Sequence, residues 1–326
     1  MEIILKTVVP SVITLIATAL TLRFLIPVLK SRKMGQRILE IGPRWHKDKE
    51  GTPTMGGLAF IVCVTLVTMG YGIYYTYTGR DMTALYITAV YALLCGLIGI
   101  TDDLSKLRNK RNEGLSAGQK FILQLICAAL YIVVMRRTGN LDTSVRIPFI
   151  DYELECGWFY YFLMLMFLCG FDNAVNLTDG IDGLCGSVTA VVAVFFAASG
   201  INSGDTGMTL YSVVLLGGCL GFLVYNFHPA RVFMGDTGSL FLGGAVTGLA
   251  VMSGTELILV VVGVVYLIET LSVMIQVAVY KMCRKRVFLM APYHHHLEKK
   301  GWGEIRITLT FAFITLIASL ISYFLG

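Results

Sequence analysis

The sequence predicts an all-α polytopic membrane protein of about ten transmembrane helices, read as a single integral-membrane domain over residues 1–326. Three observations carry this. Apolar residues make up 56% of the chain and charged ones 14%, with a mean hydropathy of +0.73, whereas a soluble protein carries charge at about a quarter of its positions. Apolar runs of the roughly 20 residues needed to cross a hydrocarbon core recur along the whole chain. These runs are continuous and do not alternate apolar with polar, which argues against a closed β-barrel, the other structure that satisfies every backbone group in lipid.

Taken in order, the expected spans are Val8–Leu29, Met55–Tyr75, Thr83–Ile100, Gly118–Met135, Gly157–Val175, Gly183–Gly200, Thr209–Phe227, Gly238–Ser253, Leu257–Tyr280 and Ile305–Phe324. The first is too long for a signal-peptide core and has no small-residue cleavage site, so it reads as a retained helix. The 8 cysteines are scattered one per segment without a CxxC pair, which suits neither a disulfide framework nor a zinc site. Lys and Arg set the orientation. Seven fall in Lys30–Lys49, five in Lys106–Lys120, one at Arg231 and seven in Lys281–Arg306, 20 of the 26 in total. All of these lie in odd-numbered loops or their helix junctions, which places those loops in the cytoplasm and both termini on the extracytoplasmic side. The net charge of +5 is thereby gathered on the face that meets anionic headgroups and anionic substrates. No nucleic-acid partner is expected.

The same odd loops hold the chemistry-bearing residues, so groups far apart in sequence share one side of the membrane. Loop one reads RILEIGPRWHKDKEGTPTMGG and offers Lys47, Lys49 and Thr52 beside the Gly56-Gly57 start of a helix, a candidate phosphate or base contact. A positive-inside anchor with a Pro/Gly turn explains the same residues more blandly. In loop two Asp102 and Asp103 stand where the third span leaves the membrane. Neighbours on a helix point about 100° apart, so both are expected to face one atom only if the backbone turns there. One of them could bind metal or take a proton while the other holds a Lys.

Loop three, DNAVNLTDGIDG, is nearly free of positive charge. Its Asn176, Asp179 and Asp182 supply oxygen ligands, and Gly180 and Gly183 let a ligand approach the backbone. Its N-x-T sequon is irrelevant in a cytoplasmic loop. Loop four, NFHPARVFMGDTGS, sets Asp236 between two glycines directly before the eighth span. A carboxylate there can hold a divalent cation, and the following N–H groups suit phosphate; the plain alternative is an Asp N-cap. Loop five carries His294-His295-His296. Consecutive residues rarely converge on one ion, so a pyrophosphate contact fits the run better than zinc. Val287–Pro292 before it suggests a segment lying at the interface. Glu269 is the one clear carboxylate inside a span, read either as a packing group or as part of an ion path.

Hard oxygen ligands amid glycine turns and cations describe a Mg²⁺–phosphate site at a membrane edge, with one lipid and one soluble substrate. No GxxxxGK[ST] is present, which excludes a P-loop ATPase. At this point GTPTMGG, the TDD closing the third span, NAVNLTDGIDGL, NFHPARVFMGDTGSL and APYHHHLEKKGW together resemble the bacterial phospho-N-acetylmuramoyl-pentapeptide transferases, within the polyprenyl-phosphate N-acetylhexosamine-1-phosphate transferase superfamily. The resemblance runs the length of the chain. It implies a multi-pass enzyme of the bacterial cytoplasmic membrane, with its active site at the cytoplasmic face. The implied reaction has undecaprenyl phosphate attack the β-phosphate of UDP-MurNAc-pentapeptide to give UMP and lipid I, the first membrane step of peptidoglycan synthesis.

What the resemblance implies for residues follows from the matching motifs. Mg²⁺ would sit on Asp236 with Asp179. Asp102, with Asp103 as its partner, would be the base for the lipid phosphate or the nucleophile of a two-step route. Lys47, Lys49, Thr52, Asn176, Asp179, Gly180, Asp182, Asn226 and Gln276 would line the nucleotide side, and His294, His295 and His296 the pyrophosphate. A homodimer is implied, and the lipid tail is expected in a groove beside the ninth span. Asp172 departs from the pattern, which has a small hydroxyl residue there, and is assigned no role. Two other readings remain: a superfamily relative using UDP-GlcNAc, which would differ in loop five, and a secondary transporter, which would carry midplane polar sites and internal repeats.

Overall fold

The computed structural model describes residues 2–32, 49, 51–109, 114–150 and 152–325. Its helices are α1 (Glu2–Ser31), α2 (Gly57–Tyr77), α3 (Thr83–Asn109), α4 (Ala117–Arg137), α5 (Phe159–Thr178), α6 (Leu184–Ser203), α7 (Thr206–Asn226), α8 (Gly235–Met252), α9 (Glu256–Val262), α10 (Val264–Cys283), α11 (Tyr293–Lys299) and α12 (Glu304–Leu325). Between α4 and α5 a hairpin pairs β1 (Ser144–Ile147) with β2 (Tyr152–Glu155), antiparallel, with Arg146 opposite Glu153. Among the described residues nine helices are long and apolar enough to cross a membrane: α1 to α7, α10 and α12. The chain is a polytopic membrane protein.

The expected spans correspond to helices, with four differences. α8 is not among those nine, because its GDTGS start makes it 18 residues of mixed polarity. It nonetheless lies along α3 and α5 in the centre of the bundle and is buried from Thr237 to Val251. The expected span Leu257–Tyr280 is broken at Gly263 (φ −86°, ψ 22°) into α9 and α10. Rings of Tyr266 and Phe171 crowd this glycine, and glycine holds helical backbone weakly. The apolar pattern runs on through the break, so it leaves no trace in hydropathy. α3 continues past Ile100 to Asn109 and carries Asp102, Asp103 and Lys106 on continuous helix. Finally, the molecule is not purely α: strands of four residues, SVRI and YELE, are too short to register as strand-period signals beside the apolar runs.

Local chemistry sets the ends. Ser116 caps α4 by accepting from the Gln119 N–H, while the Gln119 side chain accepts from the Ser116 N–H, a capping box. Asp205 caps α7 by accepting from the Met208 N–H at 2.9 Å. Inside the bundle, hydroxyls of Thr14, Thr178, Ser212, Thr247 and Thr315 donate to carbonyls one turn back and so remain satisfied away from water.

In lipid, helix association rests on close packing and hydrogen bonds rather than on escape from water. Phe60 meets Phe222 edge-on at 5.2 Å and Phe241 at 6.0 Å, which joins α2, α7 and α8. Tyr91 stacks on Tyr131 at 4.6 Å, and the Tyr131 hydroxyl donates to the Gly248 carbonyl, tying α3 and α4 to α8. Outward, Phe24, Leu66, Val224 and Phe313 are exposed among many apolar neighbours, a surface that water would not tolerate and acyl chains cover.

Candidate active site

The N-terminus of α8 is the point of assembly. Asp236, in its first turn, accepts from the Lys106 and Lys120 ammonium groups through Oδ2, each at 2.9 Å, and from Asn176 Nδ2 through Oδ1 at 2.9 Å. Lys106 also lies 2.6 Å from Asp102 Oδ2 and 3.5 Å from Asp103 Oδ1. Asp103 Oδ2 accepts from both the N–H and hydroxyl of Thr237, at 2.9 and 2.8 Å, and Asp102 Oδ1 accepts from the Leu115 N–H at 2.8 Å. Asn176 additionally donates to the Ser239 hydroxyl at 2.7 Å. Five segments, α3, α4, α5, α8 and the turn before α4, thus meet at three carboxylates and two ammonium groups.

Two glycines permit this. A Cβ at Gly99 would stand 2.1 Å from the Asp236 carbonyl oxygen, so only glycine lets α3 run against the start of α8. Gly235 has φ +70°, and a Cβ there would lie 2.5 Å from Asp103 Oδ2. The expectation that Asp102 and Asp103 need a backbone turn to share a target is overturned. α3 is continuous there; the two carboxylates straddle Lys106, one turn on, and Asp236 reaches both from another helix. Carboxylate oxygens of Asp102, Asp103 and Asp236 lie within 4.8 Å of one another, an all-oxygen set that a hard divalent cation could share. Asp179 lies outside that group.

A second cluster adjoins it. Lys49 bridges Asp182 Oδ1 and Glu304 Oε2, both at 2.7 Å. Asp182 Oδ2 pairs with His228 Nδ1 and accepts from the Ala230 N–H, each at 2.9 Å. Asp179, half-buried between α5 and α6, feels both clusters. Burial first, then the carboxylates of Asp236, Asp103 and Asp182, push its carboxyl up to about 8. Thr52 sits half-buried in the turn that its N–H closes onto the Lys49 carbonyl. Lys47 lies outside the described residues.

The other expected residues are held by the protein itself. Asn226 accepts from the Gly183 N–H and donates to the Val232 carbonyl, clamping loop three to loop four. Gln276 accepts from the N–H groups of Val287 and Phe288. His294 is buried, its Nδ1 3.0 Å from Glu269 Oε2, and its ring presses on Gly180, where a Cβ would lie 2.1 Å from Nε2. Glu269 also accepts from the His294 N–H, so it fastens α11 to α10. His295 pairs with Glu298 at 2.6 Å, and His296 accepts from the Leu289 N–H at 3.1 Å while stacking on Tyr293.

Comparison with known proteins agrees with this architecture. The profile of Glycosyl transferase family 4 matches residues 84–254, and Phospho-N-acetylmuramoyl-pentapeptide-transferase signature 1 matches residues 49–61. The chain is 42% identical over 319 residues to the phospho-N-acetylmuramoyl-pentapeptide-transferase of Geobacillus thermodenitrificans (strain NG80-2), covering 98% of this chain and 97% of the relative. It is 43% identical to that of Clostridium perfringens (strain 13 / Type A), over 98% of both chains. With that of Clostridium botulinum (strain Alaska E43 / Type E3) it shares 44% identity, over 91% of this chain and 90% of the relative. The chain belongs to the phospho-N-acetylmuramoyl-pentapeptide transferase family.

As a transferase of this family it is an enzyme, and the signature at 49–61 covers Lys49, Thr52 and the glycine pair opening α2. Sequence reasoning missed four participants. In the sequence Lys106 and Lys120 count only among the positive charges that set orientation, although Asp102 and Lys106 are spaced i, i+4, a signal that one helix face carries both. His228 and Glu304 reach Asp182 from loop four and α12, and nothing in their local sequence marks them.

Proposed function

We propose that the enzyme catalyses Mg²⁺-dependent transfer of phospho-N-acetylmuramoyl-pentapeptide from UDP-MurNAc-pentapeptide to undecaprenyl phosphate. The products are lipid I and UMP. The observation that carries this reading is the cluster of Asp102, Asp103 and Asp236 with Lys106 and Lys120 at one end of a membrane bundle, in a chain of this family. An oxygen of the lipid phosphate attacks the β-phosphorus, the bridging P–O bond to the α-phosphate breaks, and UMP leaves with the bridging oxygen.

The residues divide the work. Asp102 is the group that takes the proton of the lipid phosphate, with the Lys106 ammonium 2.6 Å away. Asp103, fixed by two bonds from Thr237, and Asp236, fixed by Asn176, hold their oxygens in place without reorganisation. The donor set fits Mg²⁺, which when bound neutralises charge on the diphosphate. Lys106 and Lys120 place two cations where phosphoryl charge develops. Lys49, Thr52, Asn176, Asp179 and Asp182 form the nucleotide side of the same end. The reading includes a bacterial cytoplasmic membrane location, a cytoplasmic active-site face and a homodimer, the last testable by light scattering in detergent.

The test is UMP release by purified protein with undecaprenyl phosphate, Mg²⁺ and either UDP-MurNAc-pentapeptide or UDP-GlcNAc. Turnover with the muramoyl substrate alone, abolished by EDTA and by Asp236→Asn, is expected. Turnover with UDP-GlcNAc instead would keep the chemistry and overturn the substrate.

A further inference from the structure

The other end of α8 carries a feature that the transfer reaction does not use. A cavity of about 350 Å³ opens where the loop after α4, the hairpin, the start of α5 and the α8–α9 turn meet. Helix α8 has 18 residues, and at about 1.5 Å rise per residue its ends lie roughly 27 Å apart, so the cavity is remote from Asp236. Its wall is predominantly polar: Asn140, Asp142, Arg146, Glu153, Ser253 and Thr255 line it, with Tyr160 and Glu256 at its side.

Glu256 is the decisive residue. It is 1% exposed, and its Oε1 accepts from the Tyr160 hydroxyl at 2.6 Å. Its other oxygen, Oε2, is buried with no hydrogen-bond partner. A carboxylate oxygen withdrawn from water and left bare is costly, and a neighbouring cation relieves that cost. Arg146 stands opposite Glu153 in the hairpin register, and Asp142 lies 3.7 Å from Arg136. Glu256 makes no ion pair among the described residues. The C-terminal end of α8, with its partial negative charge, points at the same place. Hydroxyl and amide oxygens of Ser253, Thr255 and Asn140 complete a set of hard acceptors.

We propose that this cavity is a cation-binding site, built around Glu256 at the end of the bundle opposite the active site. Its ligand is a positively charged group small enough for the cavity, either a hydrated divalent metal ion or an organic ammonium. Bound there, the cation links the hairpin to the α8–α9 turn and stabilises that end of the bundle.

The experiment measures thermal unfolding of the full-length protein in lipid nanodiscs, titrated with CaCl₂ in one arm and with spermidine in the other. Asp236→Asn is used throughout to weaken any contribution from the active-site carboxylates. A saturable rise in the unfolding midpoint is expected in one arm, and the arm that responds identifies a metal or an ammonium ligand. Adding Glu256→Gln is expected to raise the half-saturating concentration about tenfold or more, the loss of roughly 1.4 kcal/mol of binding. No response in either arm, or an equal response with Glu256→Gln, overturns the site. Should that variant not fold, Ser253→Ala with Thr255→Ala removes two of the site's oxygen acceptors and keeps Glu256 in place. A weakened response then supports the proposal, and an unchanged one overturns it.

Discussion

At the scale of single residues, the active-site cluster is a balance of charge, and its members are not equivalent. Asp236 is the only carboxylate there that receives both Lys106 and Lys120. Asp236→Asn keeps the shape and removes the charge that both ammonium groups answer, so kcat for UMP release is expected to fall by about 10² or more, with little change in unfolding midpoint. A variant that keeps a tenth of the activity would remove Asp236 from the centre of the mechanism. Asp179 makes a different prediction. Its carboxyl is pushed up to about 8 by burial and by the carboxylates around it, so the folded state holds a proton that the unfolded state releases near the ordinary value of 3.8. Between those values the folded protein binds more protons, and stability must fall as pH rises. In EDTA, the unfolding midpoint of the wild type should therefore drop relative to Asp179→Asn from pH 5.5 to pH 8. Parallel curves would show that Asp179 is ionised throughout. The carboxylates were legible in sequence because they stand out in an apolar chain. Their partners were not, because Lys106 and Lys120 resemble any positive-inside lysine, and Glu304 reaches Asp182 across 122 residues.

At the scale of elements, the site depends on where α3 and α8 cross. Gly99 faces the Asp236 carbonyl so closely that a methyl group would have to displace the start of α8. Gly99→Ala is expected to destabilise by about 1–3 kcal/mol, the usual cost of overpacking, and to lower activity by moving Asp236 away from Asp102 and Asp103. Thermal unfolding together with UMP release checks this. A variant of wild-type stability and activity would mean that α3 and α8 slide freely. Hydropathy located the apolar helices because lipid demands length, although α3 runs on past the expected Ile100 to Asn109. It missed the break at Gly263, where Phe171 of α5 crowds the backbone and the one-dimensional pattern carries no mark of it. It also missed the hairpin, whose first strand packs on α9 and which carries no strong pattern of its own.

At the scale of the whole molecule, the number of crossings decides whether the clustered residues can meet a cytoplasmic nucleotide. Nine described helices qualify as spans on length and composition, and the proposed orientation requires α8 to cross as well, with α9 and α10 counted together. Cys156, partly exposed after β2, and Cys283, exposed at the end of α10, test this count without mutation. Five crossings separate them if α5, α6, α7, α8 and the α9–α10 pair all span. The remaining cysteines are buried or, like Cys127, lie within a helix of the bundle. A membrane-impermeant maleimide applied to right-side-out vesicles should then label Cys156, and inside-out vesicles should expose Cys283, with the labelled peptides read by mass spectrometry. The Lys/Arg asymmetry, 20 of 26 on one side, sets the sign of the result. Reversed labelling would place Asp236 and its lysines outside, away from any cytoplasmic UDP-sugar. Labelling of both cysteines from one side would mean that one of the five does not cross. The suspect would be α8, the helix whose polar first turn builds the site and keeps it below the hydropathy of its neighbours.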